Sequence, residues 1–411
     1  MDFDERYRND VIEYVIKKYG EDKVAHIITF ATIKAKQAIR DAARVLGLSF
    51  SSGDKVAKLM PPMILGNTAT ISECLKLDED NKSGYSKEFY SASSELREQY
   101  KKDEEVKEII NIALGLEGLR RQDGIHAAAV VISPDTITNF LPVQQKGKEA
   151  ELVTQFEMHT VEQLGLLKMD FLGLRNLSVI DRTLELIGDE KLDIDNIPLD
   201  DKKTFELLAD GKMTGVFQLE SRVAQSTSRS LKTNTFEDIV ALVALIRPGP
   251  LGAGMHNEFT DRATGRKDIE YLHKDLEEIL SETYGVILYQ EQVMQIAQKI
   301  SGFELEEADE LRKAMGKKIP KVMEKQREKF TIGATKNGYS EQFAIELFDQ
   351  IAYFAGYGFN KSHSVPYALL AYQTAYLKAN HPAEYIAACL TAVKRDKDRT
   401  AIFLSEARDL G

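Results

Sequence analysis

The chain has 411 residues, 54 basic and 65 acidic, giving a formal charge of −11, with 43% apolar and 29% charged residues. That composition fits a soluble globular protein of two or three domains and excludes a disordered, collagen-like or mucin-like chain. No stretch of about 20 uninterrupted apolar residues allows a membrane span, and the opening MDFDERYRND is too acidic for a signal peptide. Two distant cysteines, Cys74 and Cys389, exclude a disulfide framework or a Cys-rich zinc site and make a reducing cytoplasm the expected compartment.

In chain order, residues 4–19 carry an apolar stripe of Val11, Ile12, Val15 and Ile16 ahead of Gly20, which predicts a helix. Val24 to Phe30 predicts a short strand, and residues 33–46 a helix ending at Gly47. The polar region 51–103, broken at Pro61-Pro62, predicts short helices and loops. A helix is expected over Asp103 to Leu116, and buried strands over Ala127 to Ile132 and Leu166 to Phe171. From Leu174 onward the pattern is helical, except at Gly215–Leu219, at Gly285–Tyr289 and at Arg247–Pro250, where two prolines around a glycine force a turn. Boundaries are expected near 118–126, where a helical insert returns to a sheet, and near 175. The fold class is α+β and mostly helical.

Four constellations carry chemistry. Asp170 lies in an apolar run of strand length, where a carboxylate needs a cation: Lys168 or Arg175 nearby, or a Mg²⁺ ion bound by hard oxygen ligands, with Asp2 or Asp4 as partner. Lys36, Arg40 and Arg44 recur every four residues on one helix face, which is either a solvated stripe or a row of phosphate contacts. Residues 312–329 hold eight basic residues against Glu324 and Glu328, a local +6 in an acidic chain. Gly316 is expected to break the helix there and set Lys317 and Lys318 at a turn, where triphosphate or backbone phosphate is the natural ligand; a solvated charged helix is the alternative. In GYGFNKSH (356–363), aromatics suit base stacking, and Asn360, Lys361, Ser362 and His363 suit phosphate or sugar oxygens. No GxGxxG unit, P-loop, kinase set, GxSxG elbow or HExxH pair is present. The absence of a His/Asp cluster disfavours a metal phosphohydrolase.

Seven strings then become specific: LEGLRRQDGIHAAAVVISP (116–134), LGLLKMDFLGLR (164–175), GVFQLES (215–221), ALVALIRPGPL (241–251), TYGVILYQEQVMQIA (283–297), ADELRKAMGKK (308–318) and YGFNKSHSVPYALLAYQTAYLK (357–378). In this order they resemble the bacterial DNA polymerase III alpha subunit, the C-family replicative polymerase. The resemblance implies a polymerase-beta-like nucleotidyltransferase palm over 1–29 and 118–175, an inserted helical thumb over 30–117, and large helical fingers over 176–411. It implies template-directed addition of a deoxynucleoside monophosphate to a primer 3′-end, with two Mg²⁺ ions in the complete site. Its partners would be primer-template DNA and dNTPs, and in the longer family proteins also the sliding clamp and other replisome subunits.

By the same resemblance, Asp170 matches the aspartate of the family's K-[FM]-D-F-L-G-L-R motif and binds metal. Asp2-Phe3 matches the end of a D-x-D-x-D-F motif, so that Asp2 sits beside the metal site. Arg247, Arg312, Lys313, Lys317 and Lys318 are then candidates for the incoming triphosphate. Tyr357, Asn360, Lys361, Ser362 and His363 would line the nucleotide pocket, and Lys36, Arg40 and Arg44 would face nucleic-acid phosphate. The two earlier aspartates of the motif would precede Met1, and the family's phosphoesterase, clamp-binding and oligonucleotide-binding parts do not match this chain. The expectation is a central piece of a longer polymerase; the alternative is a partial polymerase that binds DNA or nucleotide without turnover. Departures from the family pattern are Ala31 and Ala129 in place of glycine, Val223-Ala224 after FQLES, and Pro366 inside a helix.

Overall fold

The computed structural model describes residues 1–64, 67–76, 86–146, 151–189, 191–317, 320–354 and 358–410. They fall into two units, Met1–Leu174 and Arg175–Gly411, and the fold is α+β and mostly helical. Among the described residues no helix is long and apolar enough to cross a membrane.

Among the described residues the first unit is built on seven strands: β1 (Asp2–Asp4), β2 (Val24–Thr32), β3 (Arg120–Ile132), β4 (Val143–Lys146), β5 (Glu151–Thr154), β6 (Leu167–Asp170) and β7 (Leu172–Leu174). Five form a sheet in the order β4-β5-β2-β3-β6, antiparallel except at β2–β5, while β1 pairs with β7 in parallel. Side chains alternate across the sheet, as the two-residue period of a strand dictates. Ala25, Ile27, Ala129 and Val131 pack one face with Val161 and Leu166. Val24 and Val130 pack the other against Ile12 and Val15 of α1 (Arg8–Tyr19) and against Phe171. The helix expected from residue 4 starts at Arg8, because residues 2–4 are taken into strand pairing with Leu172–Leu174.

Between β2 and β3 the chain makes a helical insert: α2 (Ala35–Val45), α3 (Phe50–Lys58), α4 (Ile71–Leu75), α5 (Ser86–Ala92), α6 (Ser94–Lys102) and α7 (Glu104–Leu116). Its neck is closed by two backbone bonds, Ile33 N to Leu119 O and Gly118 N to Ile33 O, both 2.9 Å. The buried face of α2 is mostly alanine, and this lets α3 approach so closely that a Cβ on Gly53 would lie 2.8 Å from the Ala43 methyl. A short α8 (Met158–Gln163) precedes β6.

The second unit contains α9 (Arg175–Ile187), α10 (Lys202–Ala209), α11 (Arg222–Leu231), α12 (Phe236–Leu245), α13 (Pro248–Gly252), α14 (Met255–Ala263), α15 (Glu277–Leu280), α16 (Gln290–Ser301), α17 (Leu305–Lys317), α18 (Pro320–Lys336), α19 (Glu341–Phe354), α20 (Lys361–Asn380), α21 (Pro382–Val393) and α22 (Lys397–Leu410). The 20-residue α20 is its central rod. Tyr372 on this helix donates to Pro198 O at 2.6 Å and accepts from Asp201 N at 3.0 Å, and Ser364 Oγ donates to Val240 O at 2.7 Å. Buried hydroxyls so paired hold position without the cost of an unsatisfied polar group.

Two local expectations change and a third holds. The helix does break after Leu245, but Pro248 then opens α13 at its first position, where a missing N–H and a fixed φ are no handicap. Gly316 does not break α17, which runs on to Lys317; burial of Leu311 and Met315 outweighs the roughly 1 kcal/mol that glycine costs a helix. Pro366 does sit inside α20, where it removes the amide that would bond the Ser362 carbonyl.

Candidate functional site

In the first unit, Asp170 is the last residue of β6 and faces Ala129 across the ladder. Lys168, two residues earlier, projects from the same face, and its Nζ lies 2.8 Å from Asp170 Oδ2 and 3.5 Å from Glu162 Oε1. The lysine side chain is 16% exposed and the aspartate 38%. The hydrogen bond to Asp170 holds the Lys168 ammonium above its ordinary pKa. Of the two cations expected from sequence, Lys168 is thus a partner of this carboxylate.

The surrounding backbone is pinned. Met1 donates its amine to Asp170 O at 2.7 Å and accepts from Leu172 N at 2.9 Å, and the register Asp2↔Leu172 puts Asp2 beside the strand end that Asp170 closes. Arg8 donates from Nε to Phe171 O at 2.8 Å and from a second guanidinium nitrogen to Ala127 O. Asp4 is held by the Arg6 guanidinium at 2.6 Å. Among the described residues no three His, Cys, Asp or Glu side chains come together as a metal-binding group.

In the second unit, three distant sequence segments converge. The bridge Tyr289↔Phe359 and the bond from Gln290 N to Phe359 O, 2.8 Å, join the YQEQ and FNKSH strings. The Glu291 carboxylate accepts from Lys361 N at 3.0 and 2.9 Å and from Ser362 N at 3.4 Å, so it sits on the amides at the start of α20. Asn360 caps the same helix by accepting from His363 N at 3.0 Å, and Lys361 Nζ reaches Glu282 Oε2 at 2.5 Å. The Arg247 guanidinium lies 4.0 Å above the Phe359 ring and donates from Nε to Ala244 O at 2.9 Å. Burial brings its pKa down to about 10, which leaves it a cation at neutral pH. From Phe359 the rings continue to His363 (5.4 Å), Tyr367 (4.3 Å) and Phe217 (5.3 Å). Cation and ring string together suit an anionic, aromatic ligand, while the amides of the helix start are already taken by Glu291 and Asn360.

A model of the bacterial DNA polymerase III alpha NTPase domain matches residues 1–173, and a model of the bacterial DNA polymerase III alpha subunit finger domain matches residues 176–338. The chain belongs to the bacterial DNA polymerase III alpha subunit family. It is 46% identical over 423 residues to the DNA polymerase III subunit alpha of Escherichia coli K12, 47% over 423 residues to that of Vibrio cholerae, and 43% over 420 residues to that of Mycobacterium tuberculosis H37Rv. Each alignment takes in the whole of this chain and 35% of the relative, so the chain spans about a third of the length of these curated relatives.

The other candidates of this DNA polymerase III alpha family member are more heavily paired than a sequence window suggests. Arg312 and Lys313 both bind Asp309, at 2.8 and 2.7 Å, Lys329 binds Glu307 at 2.7 Å, and Arg327 binds Asp349. The +6 read from residues 312–329 is therefore partly neutralised by carboxylates outside that window. Lys317 ends α17, its side chain lies outside the described set, and Lys318 and Tyr357 lie outside the described residues. On α2, Lys36 is exposed, Arg40 binds Asp54 at 2.9 Å and Arg44 binds Asp41 at 2.9 Å. Sequence reasoning missed Glu291, and it read Phe359 only as one of the GYGFNKSH aromatics that suit base stacking, not as the ring under Arg247. Glu291 acts through amides 70 positions away, and no local pattern announces that contact.

Proposed function

We propose that this chain is the palm–thumb–fingers core of a replicative DNA polymerase, adding a deoxynucleoside monophosphate to a primer 3′-end on a DNA template with release of pyrophosphate. The observation that carries the reading is the convergence of Arg247, Phe359 and the Asn360–His363 helix start in a unit that matches the finger model. In this reading residues 1–29 and 118–175 are palm, 30–117 thumb and 176–411 fingers, working in a bacterial cytoplasm on primer-template DNA and dNTPs. The sliding clamp and other replisome subunits are partners of the longer family proteins.

Arg247, Arg312, Lys313, Lys317 and Lys318 contribute positive charge for the triphosphate, and Tyr357, Asn360, Lys361, Ser362 and His363 line the nucleotide pocket. Rings such as His363 offer a flat surface to a base. Lys36, Arg40 and Arg44 face nucleic-acid phosphate. Asp170 with Asp2 provides hard oxygen donors that suit Mg²⁺ completed by substrate phosphates. When bound, that ion supplies charge stabilisation to the transferring phosphoryl group. Lys168 fixes the rotamer of Asp170 and keeps the strand end close to neutral until a substrate arrives.

A second reading, binding of DNA or nucleotide without turnover, is supported by the Lys168–Asp170 pair, which engages one oxygen of the candidate metal ligand. Primer extension by the 411-residue chain in Mg²⁺, run beside a salt-titrated DNA-binding measurement, separates the two. Template-dependent extension establishes the polymerase reading. Salt-sensitive binding without extension establishes the second, and neither result overturns both.

A further inference from the structure

We propose that a cavity at the neck of the helical insert binds one phosphodiester of the primer strand, close to its 3′-end; this rests on the polymerase reading above. The cavity has a volume of about 330 Å³ and opens between the end of β2, the start of β3 and the turn into α8, all within the first unit. Thr32 ends β2, Arg120 opens β3, and the two pair across the ladder and line the cavity. Ile33 and Leu119, the adjoining residues, make one of the backbone bonds that close the neck. The cavity therefore lies where the insert leaves the sheet.

Its lining is rich in donors that the fold does not use. Arg40, Arg44, Arg312 and Lys313 are each paired with a carboxylate. The Arg120 guanidinium has no ion pair or hydrogen bond among the described residues; it lies 4.2 Å from the centre of the Phe30 ring, which holds it while leaving its N–H groups for a ligand. His126 Nδ1 accepts from Ala128 N at 3.2 Å and from Ala129 N at 2.9 Å. Those two bonds fix the ring and make Nε2 the nitrogen that carries the proton. His159 and the hydroxyls of Thr29 and Thr32 complete the polar wall, and none of these three side chains is hydrogen-bonded to a described residue. Arginine, imidazole and hydroxyl donors converging on one space suit a phosphate.

One carboxylate faces the same space and selects among phosphates. Glu157 accepts from His159 N at 3.0 Å and from Thr160 N at 3.1 Å, and these amides hold its carboxyl below the ordinary value. Beside this fixed negative charge a triphosphate is repelled, whereas a phosphodiester brings a single charge for Arg120 and oxygens for His126 Nε2. The apolar wall of Ile28, Phe30 and Met158 suits the sugar between two phosphates. Position assigns the strand. Glu162, toward the far end of α8, lies 3.5 Å from Lys168, which bonds Asp170 at 2.8 Å. Glu157 caps the near end of that helix, about 7.5 Å back along its axis at roughly 1.5 Å per residue. Each strand of duplex DNA advances about 3.4 Å per nucleotide, so the cavity is about two steps from Asp170. In the polymerase reading Asp170 serves the primer end, and the phosphate at that spacing is the primer's.

The test measures binding of the 411-residue chain to a labelled primer-template across a salt titration, for the parent, Arg120→Ala and Arg120→Lys, with melting temperatures alongside. A second set of substrates carries a single uncharged methylphosphonate at successive positions of the primer or of the template. The expected result for Arg120→Ala is an affinity about tenfold lower and a slope of log affinity on log salt smaller by about one, at an unchanged melting temperature. Arg120→Lys keeps the charge and recovers part of the loss. One methylphosphonate near the primer 3′-end weakens the parent by about the same factor and leaves Arg120→Ala unaffected, since the contact is already gone. If Arg120→Ala responds like the parent at every primer position, or if its lost response maps to the template, the primer contact is overturned and the polymerase reading stands. A parent that binds no DNA overturns both.

Discussion

Lys168 and Asp170 share one face of β6, with ammonium and carboxylate 2.8 Å apart. The pair gives a half-exposed carboxylate a counter-charge before any substrate is present and leaves it open on its solvent side. Asp170→Asn keeps the shape and removes the charge. If Asp170 is the metal ligand, Mg²⁺-dependent primer extension falls by about a thousandfold or more, while melting temperature changes little. Extension at the parent rate in a quantitative gel assay ends that assignment.

The Glu291 carboxylate occupies the helix start that a phosphate would seek. Glu291→Gln keeps the bulk and an acceptor oxygen but removes a negative charge beside the positive end of the α20 dipole. The expected outcome is dNTP binding tighter by about threefold to fivefold, the equivalent of up to about 1 kcal/mol at a helix terminus. Titration with a fluorescent nucleotide reads this directly. Weaker binding at an unchanged melting temperature would instead make Glu291 a supporting part of the pocket.

In the first unit, Glu117 accepts from Ile71 N at 2.9 Å, and burial raises its pKa above the ordinary 4.5, with nearby Glu73 adding to the effect. A raised carboxyl favours the folded state in its protonated form. Its contribution is complete below the ordinary value and fades as pH rises through the folded one. Glu117→Gln removes this dependence. Relative to the variant, the parent should lose stability on going from about pH 4 to neutral, as followed by thermal melts of both proteins across that range.

Lys378 is fully buried and satisfied by two carbonyls and by Glu406 at 2.6 Å. Lys378→Met strands these acceptors and should cost the second unit about 3 kcal/mol. Adding Glu406→Leu should restore part of the loss. Urea unfolding reads both changes, and a loss below about 0.5 kcal/mol for the single variant would show that the pair is replaceable, as surface pairs are.

The strands Ala127–Ile132 and Leu166–Phe171, the helix over 33–46 and the helical character after Leu174 were legible because local period and burial agree there. Asp170 stood out for a related reason, as a carboxylate in an apolar run. The start of α1 was not legible, because β1 owes its existence to pairing with Leu172–Leu174, about 170 residues away. Nor was the neutralisation of the 312–329 cluster, since Asp349 and Glu307 lie outside the window being counted.

The single rod α20 carries Asn360 and His363 toward one end and the Lys378 nest toward the other, about 30 Å end to end at helical rise. A ligand that tugs on the Asn360 end cannot reorient it freely, because Tyr372, Thr374 and Lys378 tether the rest to two other segments, residues 198–201 and 212–217. Between the two lies Pro366, where the ladder lacks a rung. The first turns are anchored as well, by Ser364 Oγ on Val240 O and by Lys361 on Glu291 and Glu282, so the whole helix serves as a fixed post despite the missing rung.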